Sequence, residues 1–132
     1  MTESDEPSYN GVVKTSMPAP AVETAHHVVG AASDKQAADI VMLDLRGVAD
    51  FADFFVIMTA ESPRQIDALA VDIESALEQE GVRLHHREGA TKSGWVLLDF
   101  SDVIVHIFLP ESRDFYKIEE AWSSATETVR IQ

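Results

Sequence analysis

The stretch from Trp95 to Leu109 constrains the fold more than any other part of the chain. It reads as two strands, 95–100 and 103–109, joined at Ser101-Asp102. Successive strand residues point to opposite faces. Trp95, Leu97 and Asp99 therefore share one face of the first strand, and Val96, Leu98 and Phe100 the other. In the second strand Ile104, His106 and Phe108 alternate with Val103, Val105 and Ile107. A hairpin with one wet face would carry polar residues at every second position. Here both faces are apolar, so both need cover. Helices on each side would supply it, or part of one face, with neighbouring Phe115, Tyr116 and Trp122, would meet another protein. Interface cores favour such aromatic residues.

The remaining segments fill in a layered domain. Residues 1–20 hold Pro7, Gly11, Pro18 and Pro20 among polar residues with no sustained period, which predicts a disordered tail. Val22, Ala25, His26, Val29 and Ala32 form a narrow apolar stripe, predicting a helix that starts near Ala21. Residues 39–46 and 53–60 are nearly continuous apolar runs, as in strands covered on both faces. Between 63 and 80 the helix signal is strong. Ser62 and Gln65 make a capping box and Pro63 occupies the first turn. Ile66, Leu69, Ala70, Ile73 and Leu77 repeat at helical spacing, and Gly81 suits the stop. Residues 82–87 predict a shorter, more polar strand nearer an edge. Pro110 stops the last strand, and Ser112 is placed to cap a final helix carrying Phe115, Ile118, Glu119 and Trp122. Beyond Ala125, residues 126–132 read as a C-terminal tail. The expected fold is α/β: one domain over 21–125, with a mixed sheet of about five strands and packed helices. The strands flanking helix 63–80 form a β-α-β crossover.

Charge narrows the function. The 132 residues carry a formal net charge of −13. Ser33 to Ala125 alone hold 18 acidic against 8 basic side chains, a balance of −10. Nucleic-acid binding relies on Lys and Arg neutralising phosphates, so direct nucleic-acid recognition is not expected and a basic protein partner is. No cysteine is present, which excludes disulfides and zinc-thiolate sites. No apolar run approaches the roughly 20 residues of a bilayer span, so no membrane association is expected and a cytoplasmic setting fits.

Catalytic chemistry finds little foothold. His85-His86 are adjacent on a predicted strand and point apart, so they cannot grip one ion. His26-His27 diverge by about 100° on a helix. His106 sits in an apolar strand as a core or interface residue. Asp50 and Asp53, and Asp99 and Asp102, bracket strand ends where carboxylates cap turns. A nucleotidyltransferase site wants a Gly-Ser pair and a D-x-D motif, and the chain contains neither. Thr91-Lys-Ser-Gly94 lacks the order of a phosphate loop. No enzyme activity, cofactor or metal is expected.

Read together, Asp34 to Asp39, Asp53-Phe-Phe-Val-Ile57, Ser62 to Gln65, Glu88-Gly89, Gly94-Trp-Val-Leu-Leu-Asp99, Asp102-Val-Ile-Val-His106 and Arg113-Asp-Phe-Tyr116 to Trp122 follow one family's order. From about Ala31 to Trp122 the chain resembles the Iojap-related ribosomal silencing factors. Phe100 stands where that family usually has Tyr, and Ser101 where it usually has Gly. The resemblance implies a nucleotidyltransferase-like fold without the catalytic motifs. It implies binding to the large ribosomal subunit through ribosomal protein L-fourteen, which blocks joining of the small subunit and represses translation when nutrients are scarce. Rival expectations are a large-subunit assembly factor and a divergent nucleotide-binding enzyme. The partner-binding surface is expected at Trp95, Asp99, Phe100, Asp102, His106 and Tyr116, with Arg113 holding either the final helix or the partner. The apolar excess of the hairpin predicts a homodimer when no ribosome is bound.

Overall fold

The computed structural model describes residues 20–132, so the tail expected over residues 1–20 lies almost wholly outside the described residues. The elements run α1 (Ala21–Asp34), β1 (Ala38–Asp44), β2 (Phe54–Thr59), α2 (Pro63–Gln79), β3 (His86–Glu88), β4 (Trp95–Asp99), β5 (Val103–Phe108), α3 (Pro110–Tyr116), α4 (Ile118–Ala121) and β6 (Thr126–Ile131). They build one α/β domain around a mixed six-stranded sheet, in the order β3-β4-β5-β2-β1-β6. Only β2 and β5 pair in parallel, from Phe54 opposite Val103 to Thr59 opposite Phe108. The crossover through α2 carries the chain from β2 past two strands to β3 at the edge.

Helix α2 forms as its sequence dictates. Ser62 Oγ accepts the Gln65 N–H at 3.1 Å. The reciprocal bond goes to Glu61, whose N–H donates to Gln65 Oε1 at 2.7 Å. At the far end Gly81 takes φ +83°, and the Val82 and Gly81 amides bond the Leu77 and Glu78 carbonyls at 2.9 and 3.0 Å. That pattern closes a helix on a glycine. Ile66, Leu69, Ala70, Ile73 and Leu77 are all buried; the four large ones contribute about 1.5–3 kcal/mol each.

One sheet face is sealed by α1 and α2. Ile40 and Met42, Phe54, Val56 and Met58, Val96, Leu98 and Phe100, and Val103, Val105 and Ile107 pack there against the helices. The opposite face collects Val41, Leu43, Phe55, Ile57, Ile104 and Phe108, backed by Trp95, Leu97, Ile118 and Trp122. Every residue of β2 and β5 is buried, as their near-continuous apolar sequences require.

Four expectations need correction. Residues 126–131 are not a tail: they pair with β1, Ile40 opposite Ile131 through Asp44 opposite Thr126. The strand expected over 82–87 shrinks to His86–Glu88, because Val82 and Leu84 turn into the helical core. Helix α1 buries Thr24, Ala25, Val28, Val29 and Ala32, while Val22 and His26 face outward. The final helix breaks in two at Lys117, which adopts φ +48°. Its first piece begins after Leu109 with Pro110 in the first turn, and Ser112 instead donates its hydroxyl to the Ser93 carbonyl at 3.3 Å.

Candidate partner-binding face

The less covered sheet face centres on an aromatic stack. Trp95 lies 5.0 Å from Phe108, nearly parallel, and 4.6 Å from Tyr116 at a tilt of 47°. Its indole N–H donates to His106 Nδ1 at 3.2 Å. Accepting on Nδ1 leaves the proton of the neutral ring on Nε2, which is buried without a hydrogen-bond partner. Phe55 stands edge-on to this imidazole at 4.5 Å. His106 is 2% exposed, and burial pushes its pKa down to about 3. The ring is therefore neutral near pH 7 and serves as a fixed acceptor. It fixes the indole N–H inward, while Trp95 itself stays half-buried.

Around this stack the aromatic surface opens. Tyr116 is 49% exposed, Phe115 77% and Phe51 56%. Phe115 and Tyr116 meet edge to face at 5.0 Å. Phe51 meets Trp122 at 5.6 Å in a second cluster that includes Phe55.

The hairpin tip is built by its acids. Asp99 Oδ1 accepts the Ser101 N–H at 2.7 Å, which steadies Ser101 at φ +77°. A residue with a side chain is strained there, and glycine is not. The Asp102 carbonyl accepts from the Asp53 and Phe54 amides at 2.7 and 3.1 Å. The backbone is pinned to the start of β2, and Asp102 stays exposed.

Arg113 occupies a structural position. Its guanidinium donates to the Asp39 carbonyl at 2.6 Å, to Thr59 Oγ1 at 2.8 Å and to Glu119 at 2.8 Å. It ties α3 to the ends of β1 and β2 and to α4.

The expected site residues thus separate. Trp95, Asp99 and Tyr116 belong to the open face, and Asp102 to the adjoining turn. Phe100 does not: it is 5% exposed and packs in the core beneath α1 and α2, as strand alternation requires. His106 supports Trp95 from below. Exposed Phe51 and Phe115 join the surface by tertiary placement. Among the described residues no group of three or more His, Asp or Glu side chains is arranged to hold a metal ion, and no helix is long and apolar enough to cross a membrane.

Comparison with known proteins agrees with this architecture. A family profile described as "Ribosomal silencing factor during starvation" matches residues 18–132. A protein of Halalkalibacterium halodurans named ribosomal silencing factor RsfS is 35% identical over 104 residues, 79% of this chain and 88% of its own. The chloroplastic protein Iojap of Zea mays is 43% identical over 97 residues, covering 73% of this chain and 42% of that longer one. A crystal structure of a Chromobacterium violaceum protein superimposes with a TM-score of 0.76 at 31% identity, over 86% of this chain and 94% of that one. With the profile spanning the whole described domain, the chain belongs to the ribosomal silencing factor family, a regulatory and non-enzymatic one.

Proposed function

We propose that this protein binds the large ribosomal subunit through ribosomal protein L-fourteen and blocks joining of the small subunit, repressing translation in the cytoplasm under nutrient limitation. The observation that carries the reading is the open face itself. Trp95, Phe115 and Tyr116 lie together at one end of β4, with the half-buried Asp99 at the other end of the same strand face, on a chain of net charge −13. Aromatic area would supply buried contact. Asp99 and Asp102 would meet Lys or Arg of a basic ribosomal protein in charge-assisted bonds of about 1.5–3 kcal/mol each where desolvated. Two macromolecules cannot share one surface, so occupancy alone would prevent subunit joining. When free, the same face would be covered by a second copy of the chain.

Sucrose gradients with added protein test the first step. Free subunits should increase, with the protein co-migrating with the large one; an unchanged profile with the protein at the top of the gradient refutes it. An Asp99→Lys/Asp102→Lys double variant, folded by circular dichroism, should lose affinity for the purified ribosomal protein. Wild-type affinity would move the contact away from the hairpin tip. Light scattering that returns a monomer mass at high micromolar concentration would refute the dimer.

A further inference from the structure

At the margin of this face lies a small cleft of about 190 Å³, lined by Glu88, Gly89, Ser93, Trp95, Leu97 and Tyr116. Small-molecule sites run to roughly 300–1,000 Å³, so this one suits a single side chain. Its walls are an aromatic pair and a carboxylate. The Trp95 and Tyr116 rings, in contact with centroids 4.6 Å apart and tilted by 47°, form one angled aromatic wall. Glu88 stands at the rim, opposite Leu97 in the β3–β4 ladder. No Lys or Arg lines the cleft. His86 Nε2 approaches the Glu88 carboxylate at 2.9 Å, and both side chains are largely exposed.

The cleft is held in shape. A Cβ on Gly89 would come within 2.2 Å of the Trp95 carbonyl oxygen, and the residue sits at φ +92°. The β3–β4 connection is thereby pressed against the Trp95 backbone. From behind, His106 fixes the indole through its N–H at 3.2 Å. One face of the indole stacks on buried Phe108, and the rest of the ring system lines the cleft.

A negative π face beside a carboxylate on an acidic protein selects a cation. Arginine fits better than lysine, because its planar guanidinium stacks on a ring while its N–H groups reach a carboxylate. We infer that the Glu88–Trp95–Tyr116 cleft is a receptor for one arginine side chain of the protein partner, and that Glu88 is its specificity residue. The inference rests on the reading that this face meets a basic ribosomal protein, and it adds a contact separate from the Asp99–Asp102 tip.

Two measurements test it. In the first, isotope-labelled full-length protein is titrated with N-acetyl-arginine amide and, separately, with the uncharged N-acetyl-citrulline amide, while the indole N–H signals are followed. The Trp95 signal should shift with the arginine compound only. In the second, Glu88→Gln and Tyr116→Leu, both at exposed positions, are compared with wild type for affinity to purified ribosomal protein L-fourteen. Each should weaken binding about five- to tenfold, and replacing the docked arginine of the partner with Met should abolish the difference between wild type and Glu88→Gln. If wild type binds and both variants bind equally well, the receptor is overturned and the proposed function stands. A Trp95 shift without any change in partner affinity also overturns it, leaving a site for small cations only. If wild type binds neither the ribosomal protein nor large subunits, the proposed function falls and the receptor with it.

Discussion

Replacing Arg113 with Met should destabilise the domain by about 2–4 kcal/mol without removing the partner-binding face. Three bonds of the guanidinium disappear: to the Asp39 carbonyl, Thr59 Oγ1 and Glu119. A hydrogen bond to a charged group has a net worth of about 1.5–3 kcal/mol, but the three are not additive. Glu119 keeps Arg130 at 3.5 Å and its side chain is 31% exposed, so it rehydrates at small cost. Thr59, by contrast, is buried, and its hydroxyl loses a charged donor. Met retains the apolar stem along which Arg113 packs, so the loss isolates the head group. Equilibrium urea unfolding is the assay. With a slope of roughly 1–3 kcal/mol per molar urea, the midpoint should fall by about 1–2 M at unchanged slope. Affinity for large subunits, measured well below that midpoint, should change less than threefold. A stability loss under 1 kcal/mol together with a tenfold or greater loss of binding would refute the reasoning and make Arg113 a contact to the partner.

Ser101→Gly should stabilise the protein by about 1 kcal/mol, since relief of the left-handed strain outweighs the added freedom of glycine in the unfolded chain; an unchanged or lower melting temperature would contradict this. His106 should make the protein acid-sensitive. Its folded pKa of about 3 lies below the ordinary 6.5, so the unfolded state binds the extra proton between those values. Stability should therefore fall as pH drops from about 6.5 toward 3, at up to about 1.4 kcal/mol per pH unit. The difference between wild type and His106→Phe isolates this slope, because carboxylates common to both proteins cancel. Removing residues 126–132 should cost about 2–4 kcal/mol through loss of the β1–β6 ladder, read from the same urea titration; a truncation that unfolds at the wild-type midpoint would show β6 to be energetically idle.

How much of this was legible depended on whether a signal was local. The capping residues and apolar repeat of α2 lie within twenty residues of each other, and that helix emerged as read. The apolar runs of β1, β2, β4 and β5 identified themselves, and their double-sided character foretold cover on both faces. Strand β6 did not identify itself. Thr126-Glu-Thr-Val-Arg-Ile131 is polar and mostly exposed, and only its long-range pairing to β1 makes it a strand. The break at Lys117 was equally hidden, because the apolar spacing from Phe115 to Trp122 runs on as though one helix continued. Alternation already placed Phe100 opposite Trp95, so its assignment to the binding surface conflicted with information in the sequence. The aromatic wall beside Glu88 was beyond reach, since it depends on the register of Glu88 against Leu97 and on where α3 returns across the sheet.

The pairing of β6 with β1 also sets an order of events during synthesis. Strand β1 is translated well before its outer neighbour, which lies more than eighty residues later, with Asp44 opposite Thr126. Until residues 126–131 leave the ribosome, the apolar Ile40-Val-Met-Leu43 run has an unpaired edge of the kind that seeds association between nascent chains. The β2–β5 pair can already be in register by then, because its strands are complete sooner. Closure of the sheet is thus deferred until residues 126–131 have emerged. Pulse proteolysis of stalled nascent chains should find β1 cleavable before Thr126 emerges and protected once Ile131 is free.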